Sequence, residues 1–432
     1  MSATNPKLFG IGRLRIGAEN TYNDTATTLR YVKSSSVDLS GLEAALLEDT
    51  QQRKADCQLA GVVGPHLGSV TTTHFVSGWS TAGTGIAVAP EFDDEFGTGT
   101  ATTSGFHCLM SALGSAVGNI RGGGFTSDVT GNTTTTITAT TATSFQVGQP
   151  ICWDSTDGVQ VGWITDITGG VMTLLQTLDA GGGQDVSGTK LYGAYHAWQT
   201  TGTIYHDIQH DATNLITSYT LEWLGHDDDD KVVITGAVPT GYTMSFATGE
   251  LPVMTVTWGI GGWTESSTGG LDGAGASEAW VEPLPEAVQA GWVAKGSSMA
   301  TSLRISSLEV DVQLERPAIM DPSASNGVGG YGPALRKPKV SFSVFRDFSE
   351  EVDEFLQQSG ESYTFRFGSD PGKAIAICVP NGRVMSLPTR GDSDGAVTSE
   401  VEIVANEYTG DTGTIPSDGT TGIDSDFRIG FC

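Results

Sequence analysis

The stretch Leu308-Glu309-Val310-Asp311-Val312-Gln313-Leu314-Glu315 alternates four apolar residues with four polar ones. Successive side chains of a β-strand point to opposite faces, so this alternation predicts a strand with one buried face and one polar face. Half-buried strands of this kind are typical of antiparallel sheets that cover a core on one side only. Because three of the four polar residues are acids, the polar face of this strand is predicted to be acidic.

Similar patterns on both sides of this stretch predict a mainly β chain. The predicted strands are Leu29–Leu39, Leu67–Ser77, Tyr219–Leu224, Val232–Thr235, Tyr242–Phe246 and Pro252–Trp258 before it, and Lys339–Phe345, Tyr363–Phe367, Ala374–Val379, Arg383–Leu387 and Ala396–Val404 after it. Asn381-Gly382 has the composition of a two-residue hairpin turn, which predicts that the strands on its two sides pair with each other.

Two helices are predicted. Apolar residues recur at three- and four-residue spacing within Thr103–Val117, which is the spacing of one helix face. The second helix, Phe348–Gln358, follows Asp347 as N-cap and has Glu350 in the capping-box position.

The order strand, long loop, strand, helix and four shorter strands occurs twice, which predicts an internal duplication. We therefore expect tandem β-sandwich or barrel folds, each with one flanking helix, and a small all-β insertion. The predicted organisation is an extended arm at 1–28, a first β domain at 29–265 with the insertion at 130–197, a linker at 266–300, a second β domain at 301–408 and a tail at 409–432.

Composition and charge exclude several classes of protein. The 432 residues carry 50 acids against 22 bases, a formal charge of −28, which opposes binding in a nucleic-acid groove or on an anionic membrane. We expect no membrane insertion, because no stretch reaches the length of about 18 apolar residues that a spanning helix requires. The five cysteines are widely spaced, which indicates neither a disulfide framework nor a zinc site.

No motif in the sequence indicates catalysis, so we expect no enzyme, no cofactor and no metal site. The glycine-rich string 327–332 is followed by Pro333 and a strand, so it lacks the helix that a dinucleotide fingerprint needs and is predicted to be a flexible loop. His206 and His210 lack the glutamate of a zinc protease. Asp227–Asp230 is predicted to be an exposed turn, with adventitious cation binding as the minor alternative.

The acids on the predicted strands allow two interpretations. Glu309, Asp311 and Glu315 share one face of a strand, and Glu400 and Glu402 share one face of another. The simpler interpretation is an ordinary solvated sheet face. The alternative is a continuous acidic wall, because like charges on neighbouring strands are unfavourable and are kept only where the sign of the potential matters.

Several segments resemble the major tail tube proteins of long-tailed, siphovirus-type bacteriophages. The similar segments are Ile16–Tyr22, Leu29–Val37, Thr220–Trp223 with Val232–Ala237, and, in the insertion, Phe145–Gln149 with Val171–Leu174. The order of strand, helix and hairpins around Phe348–Gln358 is similar too. The resemblance is diffuse, extends over most of residues 16–407 and includes no catalytic signature.

The resemblance implies a virion structural protein that needs no cofactor. Each tube fold would add four long strands to an inner β-barrel, with the helix outside and Glu309, Asp311, Glu315, Glu400 and Glu402 facing the lumen. A chain with two such folds would form pseudo-six-fold rings of three subunits, where other tubes have six. The implied partners are the chain itself, a tape measure protein inside the tube, tail-end proteins and double-stranded DNA in transit without specific binding. The location would be the virion tail, after assembly in the host cytoplasm.

Contacts between stacked rings would come from the arm 1–28, the loops 40–66 and 316–336 and the tail 409–432. The candidate contact residues are Arg13, Arg15, Glu43, Arg53, Tyr331 and Arg336.

Two alternatives remain open at this point. The chain would also suit another virion β protein, such as a capsid decoration protein or an adhesin. A secreted carbohydrate-binding β protein is the other alternative, because sugar rings stack on exposed aromatic side chains. The tryptophans that suggest it are Trp258, Trp263, Trp280 and Trp292.

Overall fold

The structure is a computed structural model of the 432-residue chain. It describes residues 12–32, 34–42, 46–47, 62–63, 68–76, 105–114, 120–121, 126–140, 145, 147–148, 150–155, 158–178, 190–193, 195–200, 217–225, 231–266, 288, 291–299, 302–324, 327–332, 336–345, 352, 355–356, 359–368, 374–393, 396–406, 408 and 425–431.

The described residues form 28 strands and one helix, α1 (Gly105–Gly114), which confirms the prediction of a mainly β fold. The strands are β1 (Gly12–Ala18), β2 (Arg30–Val32), β3 (Ser36–Asp38), β4 (Leu46–Leu47), β5 (Val62–Val63), β6 (Ser69–Phe75), β7 (Ile120–Arg121), β8 (Thr126–Asn132), β9 (Thr136–Ala139), β10 (Pro150–Ser155), β11 (Gly158–Thr168), β12 (Val171–Leu174), β13 (Lys190–Gly193), β14 (Tyr195–Thr200), β15 (Tyr219–Gly225), β16 (Lys231–Ala247), β17 (Val253–Gly259), β18 (Gly262–Ser266), β19 (Trp292–Lys295), β20 (Ser302–Leu314), β21 (Ala318–Met320), β22 (Val328–Tyr331), β23 (Arg336–Val344), β24 (Glu361–Phe367), β25 (Ile375–Val384), β26 (Thr389–Ser393), β27 (Ala396–Ala405) and β28 (Ser425–Phe431).

The two halves of the chain pair their strands in the same order. Each half forms two sheets, which we call its inner sheet and its outer sheet. In the first half, the inner sheet has the order β3–β6–β17–β16. The outer sheet has the order β2–β1–β15–β16–β18. In the second half, the inner sheet runs β20–β23–β27, followed by β25 and β26, and the outer sheet runs β20–β19–β24–β25–β28. Thus β1 corresponds to β19, β6 to β23, β15 to β24, β16 to β25 and β17 to β27.

Corresponding strands β16 and β25 each pass from the outer sheet to the inner sheet near a glycine. Gly236 has a φ of 64°, which a side chain would strain, and a Cβ on Gly382 would lie 2.8 Å from the ring of Tyr363. Bends of this kind let one strand belong to both sheets of a sandwich.

The continuity of β25 corrects a prediction. Asn381-Gly382 is not a hairpin turn, because β25 runs through it from Ile375 to Val384 and pairs first with β24 and then with β27. The predicted strands Val232–Thr235 and Tyr242–Phe246 likewise belong to the single strand β16. Glycine therefore marks a change of sheet at these two places.

One hydrophobic core lies between the inner and outer sheets of both halves. It runs without a break from Leu14 and Ile16 on β1 to Phe427 and Ile429 on β28. Aromatic contacts join the halves: the rings of Phe246 and Phe367 stack with centroids 4.6 Å apart. The two halves therefore stabilise each other.

The segment Thr126–Gly193 forms a closed six-stranded barrel of β8 to β13, within and just ahead of the insertion predicted at 130–197. Its core includes Phe145, Trp153 and Met172. The barrel packs through Trp163 on Ala376 of β25, on the side of the second outer sheet away from the main core. A buried amide also connects it to the residue that follows β19, because the Nε2 of Gln176 donates to the carbonyl of Gly296 at 2.9 Å.

Five segments predicted to be arm, linker, loop or tail contain strands instead. They are the arm with β1, the loop 40–66 with β4 and β5, the linker with β19, the loop 316–336 with β21 and β22, and the tail with β28. Three of these strands, β1, β19 and β28, carry apolar residues that are buried in the main core, such as Leu14, Val293 and Ile429. Gly, Ser and Pro residues on both sides of these short strands interrupt the alternating pattern from which strands are predicted.

The predicted helices are described in part. Helix α1 covers the middle of Thr103–Val117, and Leu109 and Leu113 are buried. Most of Phe348–Gln358 lies outside the described residues. Its three described residues, Val352, Phe355 and Leu356, are helical, and Phe355 packs on the main core.

Hydrogen bonds to the carboxylate of Glu19 connect the end of β1 to β15 and to the bend of β16. Its carboxylate accepts hydrogen bonds from the backbone N–H groups of Asn23 and Gly236, each at 2.9 Å. The hydroxyls of Ser218 and Thr220 donate to it as well. Burial raises the pKa of Glu19 above its ordinary value, although the four hydrogen bonds oppose that shift.

Replacing Glu19 with glutamine should lower the free energy of unfolding by about 1–3 kcal/mol, because an amide donor would then face a backbone donor. The raised folded-state pKa favours the protonated carboxyl, so its contribution is complete below the unfolded pKa and declines as pH rises through the folded pKa. Chemical denaturation should therefore show a larger penalty for Glu19→Gln at about pH 4 than at about pH 7.

Glu250→Gln, at an exposed turn, is the matched control for the change from carboxyl to amide, and its penalty at each pH is subtracted from that of Glu19→Gln. A penalty for Glu19→Gln that grows with pH would contradict this account of Glu19.

Candidate functional site

The inner sheets of the two halves join into one antiparallel sheet, which we call the long sheet. Its order is β3–β6–β17–β16–β20–β23–β27, with β26 along the far edge. The junction is the ladder between β16 and β20, which runs from Gly241 opposite Gln313 to Ala247 opposite Ser307. Within the described residues, β3 pairs only with β6, and β26 pairs only with β27.

The two faces of the long sheet differ in chemistry. On one face, Met244, Val310, Val340 and Ile403 are buried in the main core. The intervening residues of each strand form the opposite face, which is partly or fully exposed and which we call the polar face. The alternation of residues 308–315 thus predicted correctly which side chains are buried.

The structure places four of the five predicted lumen acids together on the polar face. Glu309 and Asp311 project from β20, and Glu400 and Glu402 project from β27. Glu315 lies just beyond the end of β20 and is exposed. The acids therefore belong to the second half of the long sheet.

The acids do not face one another on neighbouring strands, which corrects the premise of the acidic wall. Strand β23 separates β20 from β27 and places Ser341 between Glu309 and Glu402. Lys339, also on β23, lies opposite Asp311, and its Nζ is 3.3 Å from the carboxylate of Glu402. This spacing limits like-charge repulsion while it keeps a net negative face.

The first half of the polar face carries mainly hydroxyl groups, which the sequence analysis missed, and one acid on β3, Asp38, opposite Thr71. Threonines occupy the face-exposed positions of three adjacent strands: Thr71, Thr73, Thr243, Thr255 and Thr257. The sequence contains a pattern that could have identified the threonines of β6. Burial alternates along residues 69–75, where Val70 and His74 are buried and the residues between them alternate in exposure. The polar face is therefore hydroxyl-rich in one half and acidic in the other.

A shallow depression of about 270 Å³ lies on the acidic half of the polar face. Glu309, Glu400 and Glu402 line it together with Ser245 and Ser341. Among the described residues, no group of three or more His, Cys, Asp or Glu side chains is arranged to hold a metal ion.

Exposed apolar side chains mark one end of the long sheet. Phe75 at the end of β6 and Phe345 after β23 are 37% and 43% exposed, and they occupy corresponding positions in the two halves. Leu251, in the turn that precedes β17, and Val397, near the start of β27, are exposed at the same end. At the opposite end, the hairpin β21–β22 exposes Ile319 and Met320.

The predicted inter-ring residues lie in different environments. Arg13 and Arg15 are half-buried on β1, and Arg15 forms an ion pair with the buried carboxylate of Glu222. Glu43 and Arg53 lie outside the described residues, as does the side chain of Arg336. Tyr331 must be removed from the set, because it is 5% exposed and donates to the carbonyl of Ile260 at 3.0 Å.

The burial of Tyr331 has a physical cause. Its ring packs against Gly259, where a Cβ would lie 2.7 Å from the hydroxyl oxygen, and it contacts the ring of Tyr22. Burial raises the pKa of Tyr331 to about 12. The hairpin β21–β22 is thereby anchored to the first half of the chain.

The tryptophans do not form an exposed aromatic platform. Trp258 is fully buried and donates from Nε1 to Thr72. Trp292 is 8% exposed beneath the guanidinium of Arg366, and Trp263 is half-buried. Trp280 lies outside the described residues. The described residues thus provide no support for stacking against sugars.

No protein-family model matches the chain, and no curated protein sequence is significantly similar to it. In the part of the chain that the structure describes, no helix is long and apolar enough to cross a membrane.

Ser341→Glu would place a third carboxylate directly between Glu309 and Glu402. We expect it to lower the free energy of unfolding by about 1 kcal/mol at low salt and by less at high salt. Denaturant titrations at two ionic strengths measure the difference.

Two controls isolate the charge effect. Ser341→Gln tests for size alone, and Thr255→Glu puts the same charge on the hydroxyl-rich half. A penalty for Ser341→Glu equal to that of Thr255→Glu, or unaffected by salt, would show that the acids on β20 and β27 do not interact through β23.

Proposed function

We propose that the chain is the structural subunit of a bacteriophage tail tube. Copies would join into rings, and stacked rings would form a hollow conduit through which the genome passes into the host. The observation that carries this proposal is the long sheet, which has a core on one face, a polar face on the other and two strands that pair on one side only among the described residues. Open sheet edges favour pairing with another chain, and closure into a ring removes them.

The distribution of layers favours the polar face as the lining of the bore. The apolar face of the long sheet packs against the outer sheets, and the six-stranded barrel lies further out, against β25. The polar face is the side of the long sheet that no other described layer occupies. Closure of the sheet around that face would place the acids and threonines inside and the barrel outside.

The charge of the bore suits the passage of DNA. Carboxylates repel phosphates, and hydroxyls bind water, so a duplex in transit would meet no cationic surface that holds it. The total charge of −28 acts in the same direction. The further partners that this function implies are a tape measure protein inside the tube and tail-end proteins, with assembly in the host cytoplasm and no cofactor.

Negative-stain electron microscopy of the purified chain over a range of concentrations tests the proposal. We expect rings or tubes with a stain-filled channel. A chain that stays monomeric at every concentration would contradict the function. Antibody labelling of virions adds a second test: label along the tail tube supports it, whereas label on heads or fibres would indicate a decoration protein or an adhesin.

The exposed phenylalanines at one end of the long sheet generate a separate prediction for stacking. Rings that stack head to tail bring this end towards the hairpin β21–β22 of the next ring, so apolar surface would be buried at each contact. The double variant Phe75→Ser, Phe345→Ser should form rings but no long tubes in micrographs.

Leu356→Ser is the matched control, because Leu356 is 69% exposed but belongs to the second predicted helix and not to a strand of the long sheet. It should leave tube length unchanged. Normal tubes from the double phenylalanine variant would show that the apolar sheet end does not carry the stacking contact.

A further inference from the structure

We infer that the six-stranded barrel opens as one cooperative unit, in which it separates from the second half of the chain while the sheets beneath it stay folded. By its place in the sequence the barrel belongs to the first half, because β8 to β13 lie between α1 and β15. Its packing, however, is against the second half. The inference is independent of the proposed function, since it concerns the fold of a single chain.

The barrel contacts the second half at three places. Trp163 packs on Ala376 of β25, and Pro150 lies against Gly430 of β28. The third place is the turn 296–299, which follows β19 and reaches into the barrel. All three lie far from the barrel in the sequence, so the docked position of the barrel depends on long-range contacts.

Met299, in that turn, completes the core of the barrel. Its side chain is fully buried in one cluster with barrel residues such as Ile137 and Trp153. The backbone holds it there, because its N–H donates to the carbonyl of Thr177 at 2.9 Å and the N–H of Thr177 donates to the carbonyl of Ser297 at 2.7 Å. A core that loses one buried side chain keeps a cavity, which destabilises it. The barrel therefore reaches its full stability only when it is docked.

The surface under the barrel leaves no room for partial displacement. Ala376 and Cys378 on β25 and Gly430 on β28 are small residues that face the barrel. A Cβ on Gly430 would lie 2.5 Å from the Cγ of Pro150, so the two backbones are as close as glycine permits. Close-packed surfaces separate completely or not at all, since a small gap already loses most of the contact. We therefore expect the docked and open forms to be two discrete states.

Buried polar groups without partners make the barrel the part that opens first. In the part of the chain that the structure describes, the Nε1 atoms of Trp153 and Trp163 and the Oε1 of Gln176 have no hydrogen-bond partner. All three side chains are at most 1% exposed. A buried donor or acceptor of this kind destabilises the closed state, because it would bind water in the open one. Such a region lies at the low end of the local stabilities within a fold.

The strands on both sides of the barrel are held independently of it. Strand β14, which directly follows the barrel, pairs with β28 along Tyr195–Thr200. Strand β7, which precedes the barrel, pairs with β14. Both ends of the barrel are therefore anchored in the second outer sheet, and its opening requires no change in the pairing of the sheets.

Two cysteines report on the opening. Cys152 on β10 and Cys378 on β25 belong to the cluster between the barrel and the second outer sheet, and they are 1% and 0% exposed. A buried thiol reacts only from an open state, so its rate of alkylation measures how often the barrel opens. Alkylation of the native chain with N-ethylmaleimide, followed by digestion and mass spectrometry, gives the rate of each cysteine separately.

Met299→Ala and Gly430→Ala test the inference. The first opens a cavity in the barrel core, and the second pushes Pro150 away from β28. Relative to the unsubstituted chain, each variant should raise the alkylation rates of Cys152 and Cys378 by the same factor, of about ten or more. Hydrogen exchange of β16 and β20 should not change, because the sheets stay folded.

Each variant has a matched control. Met385→Ala removes the same side chain at a position that is 52% exposed. Gly131→Ala adds the same methyl group on β8, where a Cβ would have no neighbour within 4 Å. Both controls should leave the two alkylation rates unchanged.

Three results would overturn the inference. Unchanged rates in Met299→Ala would show that the barrel is stable without the second half. A rise at one cysteine alone would show that the barrel does not open as a unit. Faster hydrogen exchange of β16 and β20 by the same factor would show that the whole chain opens.

The unsubstituted chain provides the same test if the variants fail to fold. As the urea concentration rises, Cys152 and Cys378 should become reactive together while the amides of β16 and β20 are still protected from exchange. Simultaneous loss of protection at the cysteines and at these strands would overturn the inference.

Discussion

The ladder between β16 and β20 is the interaction on which the rest of the structure depends. A slip of one residue in a strand exchanges its two faces, so a sheet that covers a core must keep its register from edge to edge. Tyr242 opposite Val312 sends both side chains into the core, and Thr243 opposite Asp311 sends both to the polar face. Because this ladder joins the two halves, it makes the core, the polar face and the apolar sheet end continuous across the chain.

Charge is arranged on the polar face so that a negative potential costs little stability. The acids occur on β20 and β27, and β23 between them contributes Ser341, Ser343 and Lys339. An unbroken acidic wall would place carboxylates directly opposite each other, which is unfavourable. The alternation of acidic and hydroxyl-bearing strands retains a negative sign without those contacts, and threonines occupy most of the first half.

Secondary structure and burial are predicted best for strands that have one face in the core and the other in solvent. Residues 308–315 alternate because one side meets a core and the other meets solvent, and the structure buries the expected four. The prediction failed at Asn381-Gly382, because the glycine that allows a tight turn also allows a strand to change sheets, and only the long-range partners β24 and β27 decide between the two. Strands such as β19 and β28 were missed for the same reason, since they are short and are held by partners distant in sequence. The acids of the polar face were found from their spacing, whereas their separation by β23 depends on strand order, which no local pattern contains.

The two outer sheets pair their strands in the same order but have different residues on their outer faces. On β15, Glu222 points away from the core and is held by ion pairs with Arg15 and Lys231, so the first outer sheet has a charged outer face. On the corresponding face of the second outer sheet, Ala376 and Cys378 are small and apolar, and the six-stranded barrel packs on them. A buried carboxylate needs compensating cations, whereas small apolar residues need only a close-fitting neighbour. The barrel can therefore dock on one half alone, whereas the inner strands pair in the same order in both halves.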